Sequence, residues 1–160
     1  NKLDFKIMIK KTCYILIFFL VTNCGYQAIY SKKNDTSVSI NKIELKGDKG
    51  VNRKIVSFAN LRKKNNGNYS YNLTLNSNKK IESVAKDKAG NTSVYKTTIS
   101  IKFYLKDPNN QNEIFKEKNF VSSFSYNNIN NKFDLSQYQR NIEENLINKI
   151  AEEIVIFLNL

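Results

Sequence analysis

The chain has 160 residues, one domain's worth, with 26 Lys and Arg against 14 Asp and Glu for a formal net charge of +12. It contains no His and two Cys, so no imidazole is available as a general base, a triad member or a zinc ligand. Asn (25), Lys (23) and Ile (18) dominate the composition, a skew of the kind that AT-rich codons produce. The positive charge therefore has two readings, a solvated basic surface and a site for an anionic partner. A hydrophobic fraction of 41% supplies a normal globular core rather than a disordered chain.

The N-terminal residues carry Lys2, Lys6, Lys10 and Lys11 against a single Asp4, followed by the uncharged apolar run from Thr12 to Thr22. A basic stretch ahead of about 10 apolar residues is the pattern of an export signal. A membrane-spanning helix needs roughly 20 apolar residues, and Thr22, Asn23, Gly25 and Gln27 make the second half of this stretch polar. The export signal is thus a better fit than an uncleaved anchor. Val21, Thr22, Asn23 and Cys24 resemble the lipobox of bacterial lipoproteins, in which a cysteine thiol takes the lipid and the peptide is cut just before it. Asn23 stands where that pattern has a smaller residue. Cys13 sits within the apolar run and reads as part of the signal helix. The expected organisation is a signal peptide over 1–23, a lipidated tether over 24–37 and one α+β periplasmic domain over 38–160.

A first strand is predicted from Val38 to Leu45, with a bulge where the apolar alternation slips between Ile40 and Ile43. A helix is predicted from Asn52 to Lys64. Val51, Ile55, Phe58 and Leu61 form its apolar face, Asn52 or Asp48 caps it, and Arg62, Lys63 and Lys64 suit its C-terminal dipole end. The turn Asn65-Asn66-Gly67 follows.

Tyr69, Tyr71, Leu73 and Leu75 alternate with polar residues and mark a second strand, extending weakly through Ile81 to Ala85. After the turn Asp87-Lys88-Ala89-Gly90-Asn91, a third strand covers Thr92 to Lys106, with Ile99, Ile101, Phe103 and Leu105 on one face. The turn Asp107-Pro108-Asn109-Asn110 leads to a fourth strand from Glu113 to Tyr126, in which Phe120, Phe124 and Tyr126 share a face.

The last element is an amphipathic helix started by Asp134 with Gln137, with Phe133 as its staple. Tyr138, Ile142, Leu146, Ile150, Ile154 and Phe157 form its stripe, widened by Ala151, Val155 and Leu158. Arg140, Glu143, Glu144, Glu152 and Glu153 are expected to face water. The predicted fold is α+β: a four-stranded, mostly antiparallel sheet with two helices on one face, in the order β-α-β-β-β-α.

The Cys24-Gly25-Tyr26-Gln27-Ala28-Ile29-Tyr30 segment, this element order and Ser125-Tyr126-Asn127 ahead of the last helix resemble the lipopolysaccharide-assembly lipoprotein family LptE, in its alphaproteobacterial branch. Ala28 stands where that branch commonly has Pro. The resemblance implies a non-catalytic protein anchored by a lipid on Cys24 to the periplasmic side of the outer membrane. Its partners would be the LptD-type β-barrel, which it plugs and helps assemble, and lipopolysaccharide. No cofactor or metal is implied beyond the covalent lipid. Lys79, Lys80, Lys86 and Lys88 are the candidate contacts to lipopolysaccharide phosphates, with solvated loop lysines as the plain alternative. The same tethering features would serve another lipid-anchored accessory module of a transporter or secretion complex. An enzyme is not expected, since the carboxylates show no clustering at strand ends. The charge and the Tyr and Phe content suggest a nucleic-acid binder, but export argues against that partner.

Overall fold

The structure, a computed structural model, describes residues 38–63, 70–110 and 113–160. The expected signal peptide, lipobox-like segment with Cys24 and tether lie outside the described residues, as do Tyr69 and the expected Asn65-Asn66-Gly67 turn. The elements follow in the order expected from sequence: β1 (Ser39–Gly47), α1 (Lys49–Phe58), β2 (Ser70–Lys86), β3 (Thr92–Lys106), β4 (Ile114–Asn127) and α2 (Lys132–Asn159). The strands form one four-stranded sheet in the spatial order β1-β2-β3-β4. β2, β3 and β4 are an antiparallel meander, whereas β1 runs parallel to β2. A parallel pair needs a crossover connection, and α1 lies in it. The expected bulge in β1 is present as a register shift between Ile40 and Lys42.

One face of the sheet holds the core. Ile99, Ile101, Phe103 and Leu105 of β3 are fully buried, facing Leu73 and Leu75 of β2 and Phe120 of β4. Val51 and Ile55 of α1 and Ile142, Leu146, Ile147, Ile150 and Ile154 of α2 complete the same cluster. Each such aliphatic side chain contributes roughly 1.5–3 kcal/mol by leaving water. Phe103, Phe120 and Phe157 meet edge to face, with ring centroids 5.8–6.2 Å apart, the arrangement that aligns ring edges with ring faces.

The β1–α1 junction is tied to β2 by close backbone contact. Gly47 has φ +84°, and a Cβ there would stand 1.9 Å from the Ser77 carbonyl oxygen. The Asp48 amide donates to that same oxygen at 3.1 Å, and the Ser77 hydroxyl donates to the Asp48 carbonyl at 3.1 Å. The Asp48 carboxylate then caps α1 by accepting from the Gly50 and Val51 amides, each at 2.9 Å.

Helix α1 differs from the prediction at both ends. The cap at Asp48 starts it at Lys49, earlier than the predicted Asn52, and it stops at Phe58. Asn60, at φ 50°, reverses the chain; its amide donates to Ser57 O and the Leu61 amide donates to Val56 O. This is a Schellman ending. It turns Leu61 into the core from beyond the helix, while Phe58 is left 38% exposed. Arg62 and Lys63 therefore do not sit on the last turn, as the helical spacing had suggested.

Helix α2 begins at Lys132, capped by Asn131, whose side chain accepts from the Phe133 and Asp134 amides. Asp134 is thus a first-turn residue that favours the positive helix end, not the cap. Phe133 is 67% exposed and staples nothing. Tyr138 lies at the rim of the stripe and packs edge-on against Tyr126, at 5.7 Å between ring centroids. Ile147, absent from the predicted stripe, is fully buried, because α1 packs beside α2 and widens the buried arc.

Candidate functional site

The pleat assigns the predicted lysines to different places. Register pairs Lys79 with Ile99 and Lys80 with Thr98, so Lys79 lies on the helix-covered face and Lys80 on the open one. Lys79 reaches across to α2, where its Nζ donates to Glu143 Oε2 at 2.9 Å. Lys54 of α1 approaches the other oxygen of the same carboxylate at 3.5 Å. Glu143 is therefore no water-facing residue: its side chain is only 16% exposed and links α1, β2 and α2. Lys80 pairs with Glu82 along its own strand. Lys86 ends β2, Lys88 lies in the β2–β3 turn, and both are exposed. Of the four lysines, these two are the neighbours at one end of the sheet.

That end also carries a cleft of about 710 Å³ between the β2–β3 turn and the β4–α2 connection, lined by Asp87, Asn91, Tyr95, Asn128, Asn130 and Lys132 among others. Asp87 organises the turn: its Oδ1 accepts from the Ala89 and Asn91 amides at 2.9 and 2.8 Å. Those bonds, led by the one from Asn91, hold its carboxyl below the ordinary aspartate range. Asn128 closes the other lip, its side chain donating to Thr92 O at 2.9 Å. The cleft was not foreseen from sequence, since it joins two connections far apart in the chain.

The open sheet face is polar throughout its centre. Asn72, Thr74, Asn76, Asn78 and Lys80 of β2 stand beside Lys106, Tyr104, Lys102, Ser100 and Thr98 of β3. Its carboxylates are spread among lysines. The hydrogen bond and charge of Lys46 lower the pKa of Glu44, and those of Lys80 lower that of Glu82. A different surface occurs where β4 meets α2. There Phe124, Tyr138, Ile142 and Leu146 line a groove of about 260 Å³ with Asn141 and Asn145. Phe124 shares the parity of Phe120 and Tyr126, as predicted, yet is 49% exposed because it opens onto this groove.

Among the described residues no cluster of three or more His, Cys, Asp or Glu is placed to hold a metal ion. No helix among them is long and apolar enough to cross a membrane. The geometry offers surfaces and a polar cleft.

The architecture defines the class: an α+β domain in which a strand-helix crossover adds a parallel edge strand to a three-stranded meander backed by a long C-terminal helix. No family model and no curated protein matches the sequence. Solved structures do match the fold. A minor lipoprotein from Acinetobacter baumannii superposes with a TM-score of 0.56 at 14% identity, covering 76% of this chain and 92% of that one. Rare lipoprotein B from Shewanella oneidensis gives 0.55 at 14% identity, covering 74% and 93%. An uncharacterized lipoprotein B from Nitrosomonas europaea gives 0.50 at 7% identity, covering 74% and 81%. At such identities the likeness establishes a shared fold.

Proposed function

We propose that this chain is a non-catalytic lipoprotein of the outer membrane, anchored through Cys24 on the periplasmic side. It belongs to the machinery that transports and assembles lipopolysaccharide. In this reading the domain plugs an LptD-type β-barrel, helps it assemble and contacts lipopolysaccharide on its way to the outer leaflet. The observation that carries the reading is the conjunction of a lipobox-like Val21-Thr22-Asn23-Cys24-Gly25 with a fold shared by several solved lipoproteins. Two acyl chains or more would hold the domain stably at the membrane, where one alone binds marginally.

The polar open face supports the plug reading, because the lumen of a wide barrel is lined by polar side chains. Lys86 and Lys88, beside the cleft at the sheet end, are the side chains proposed to meet lipopolysaccharide phosphates, with Lys80 joining them from the open face. Lys79 is less suited, since it lies on the helix-covered face and is held there by the partly buried Glu143.

The test is affinity purification of the full-length protein from membranes in mild detergent, with mass spectrometry of whatever co-purifies. A stoichiometric large β-barrel protein is the expected result. A transporter or secretion subunit in its place would overturn the plug and assign the domain to a different lipid-anchored assembly.

A further inference from the structure

The two edges of the sheet are built differently. β1, one terminal strand, is nine residues long, carries Lys42, Glu44 and Lys46, and is interrupted by its bulge. Charges and bulges are the devices that keep a strand edge from pairing with another chain. β4, the other terminal strand among the described residues, spans 14 residues and pairs with β3 through most of its length. From Asn119 to Asn127 it has no charge and no proline. The apolar groove of Phe124, Tyr138, Ile142 and Leu146 opens along this same stretch.

We propose that β4 is a self-pairing edge, and that two copies of this chain join their β4 strands antiparallel about a two-fold axis at Ser123. Three features of this pairing fit a second copy as the occupant. First, the register is self-complementary. The axis sets Asn119 opposite Asn127 and Val121 opposite Ser125. Lys118 then faces Asn128 and Glu117 faces Ile129, so no like charges meet. Second, side-chain parity is kept: Phe120 faces Tyr126 and Ser122 faces Phe124, all on the helix-covered side in both copies. Third, the helices fit. α2 packs over both β3 and β4; with its axis midway between them, its copy would lie two strand spacings away, about 10 Å at roughly 4.8 Å per strand. Helices pack at 8–10 Å. The two α2 helices would meet antiparallel over the new strand pair, and the Phe124 groove of each copy would be closed by the other. The result is an isologous interface with an eight-stranded continuous sheet. It concerns the protein without its barrel, so it stands or falls apart from the plug reading.

The test uses the full chain in mild detergent with Cys13 and Cys24 replaced by Ser. In an antiparallel pair, residues directly opposite have Cα atoms about 4.5–5.5 Å apart, inside the range a disulfide spans. Ser123→Cys should therefore give an oxidised covalent dimer, and Asn41→Cys on β1 should not. Sedimentation should show a dimer for the parent, and Ser123→Lys, which places two ammonium groups on the axis at an exposed position, should raise its dissociation constant several-fold. Circular dichroism checks that the variant is folded. A parent that stays monomeric at all concentrations overturns the proposal. So does a dimer that cross-links equally at Asn41 or is unmoved by Ser123→Lys. A monomer whose β4 amides are protected from exchange would assign the edge to another segment of the same chain. A stoichiometric foreign peptide on β4 would assign it to a different protein.

Discussion

Glu143 Oε2 lies 2.9 Å from Lys79 Nζ, and Lys54 Nζ lies 3.5 Å from the other oxygen of that carboxylate. One carboxylate on α2 thus joins a residue of the sheet to a residue of α1. Helical periodicity places Glu143 on the water side of an isolated helix, but the domain has a second helix there. Replacing Glu143 by Gln leaves two amines facing each other over a partly buried site. The expected loss is about 1–2 kcal/mol of unfolding free energy, measured by chemical denaturation. An unchanged midpoint would reduce the triad to a surface feature.

The Thr97 hydroxyl and the Tyr126 hydroxyl are 3.1 Å apart in the core between β3 and β4. Either Thr97→Val or Tyr126→Phe strands one buried hydroxyl and should cost about 1–3 kcal/mol. The double variant removes both polar groups and should recover most of that loss. Additive losses in the double-mutant cycle would show that the hydroxyls act independently.

Gly47 combines φ +84° with a backbone oxygen where a Cβ would stand. Gly47→Ala cannot relieve either conflict by moving a flexible side chain, and is expected to cost at least about 2 kcal/mol. Gly90 also has positive φ, but a Cβ there meets nothing within 4 Å, so Gly90→Ala should cost less. Comparable thermal midpoints for the two variants would contradict the steric account.

The Asp87 turn should weaken in acid. Its carboxyl titrates below the ordinary aspartate value because the folded turn donates hydrogen bonds to the charged form, that of Asn91 foremost. The turn's contribution is full above the unfolded value and is lost as pH falls through the lower folded one. The protection factors of the Ala89 and Asn91 amides, taken against their intrinsic exchange rates at each pH, should therefore fall at the acid end of a pH series. In Asp87→Asn this acid response should disappear.

Cys24→Ala should give a folded domain that no longer fractionates with the outer membrane. Fractionation identical to the parent would remove the lipid anchor from the functional reading.

Much of this architecture is legible along the chain. The alternation in β2 and β3 and the stripe on α2 specify which sheet face meets helices, because periods of 2 and 3.6 residues are local consequences of backbone geometry. The bulge between Ile40 and Ile43 is visible for the same reason. Tertiary structure alone set the ends of the helices. Asp48 prevailed as a cap because Gly47 packs against Ser77, and α1 stops early because Leu61 turns into the core after Asn60.

The candidate surfaces divide along the same line. Cys24 and its neighbours form a contiguous stretch that resembles a lipobox, so that expectation is legible in the sequence by itself. Lys79 and Lys80 are adjacent in sequence and look equivalent, yet the pleat puts one against Glu143 and the other on the open face. The cleft between Asp87 and Asn128 and the groove beside Phe124 join segments far apart in the chain. Local period says which way a side chain points; only the packing of α1, α2 and the strands decides what it meets.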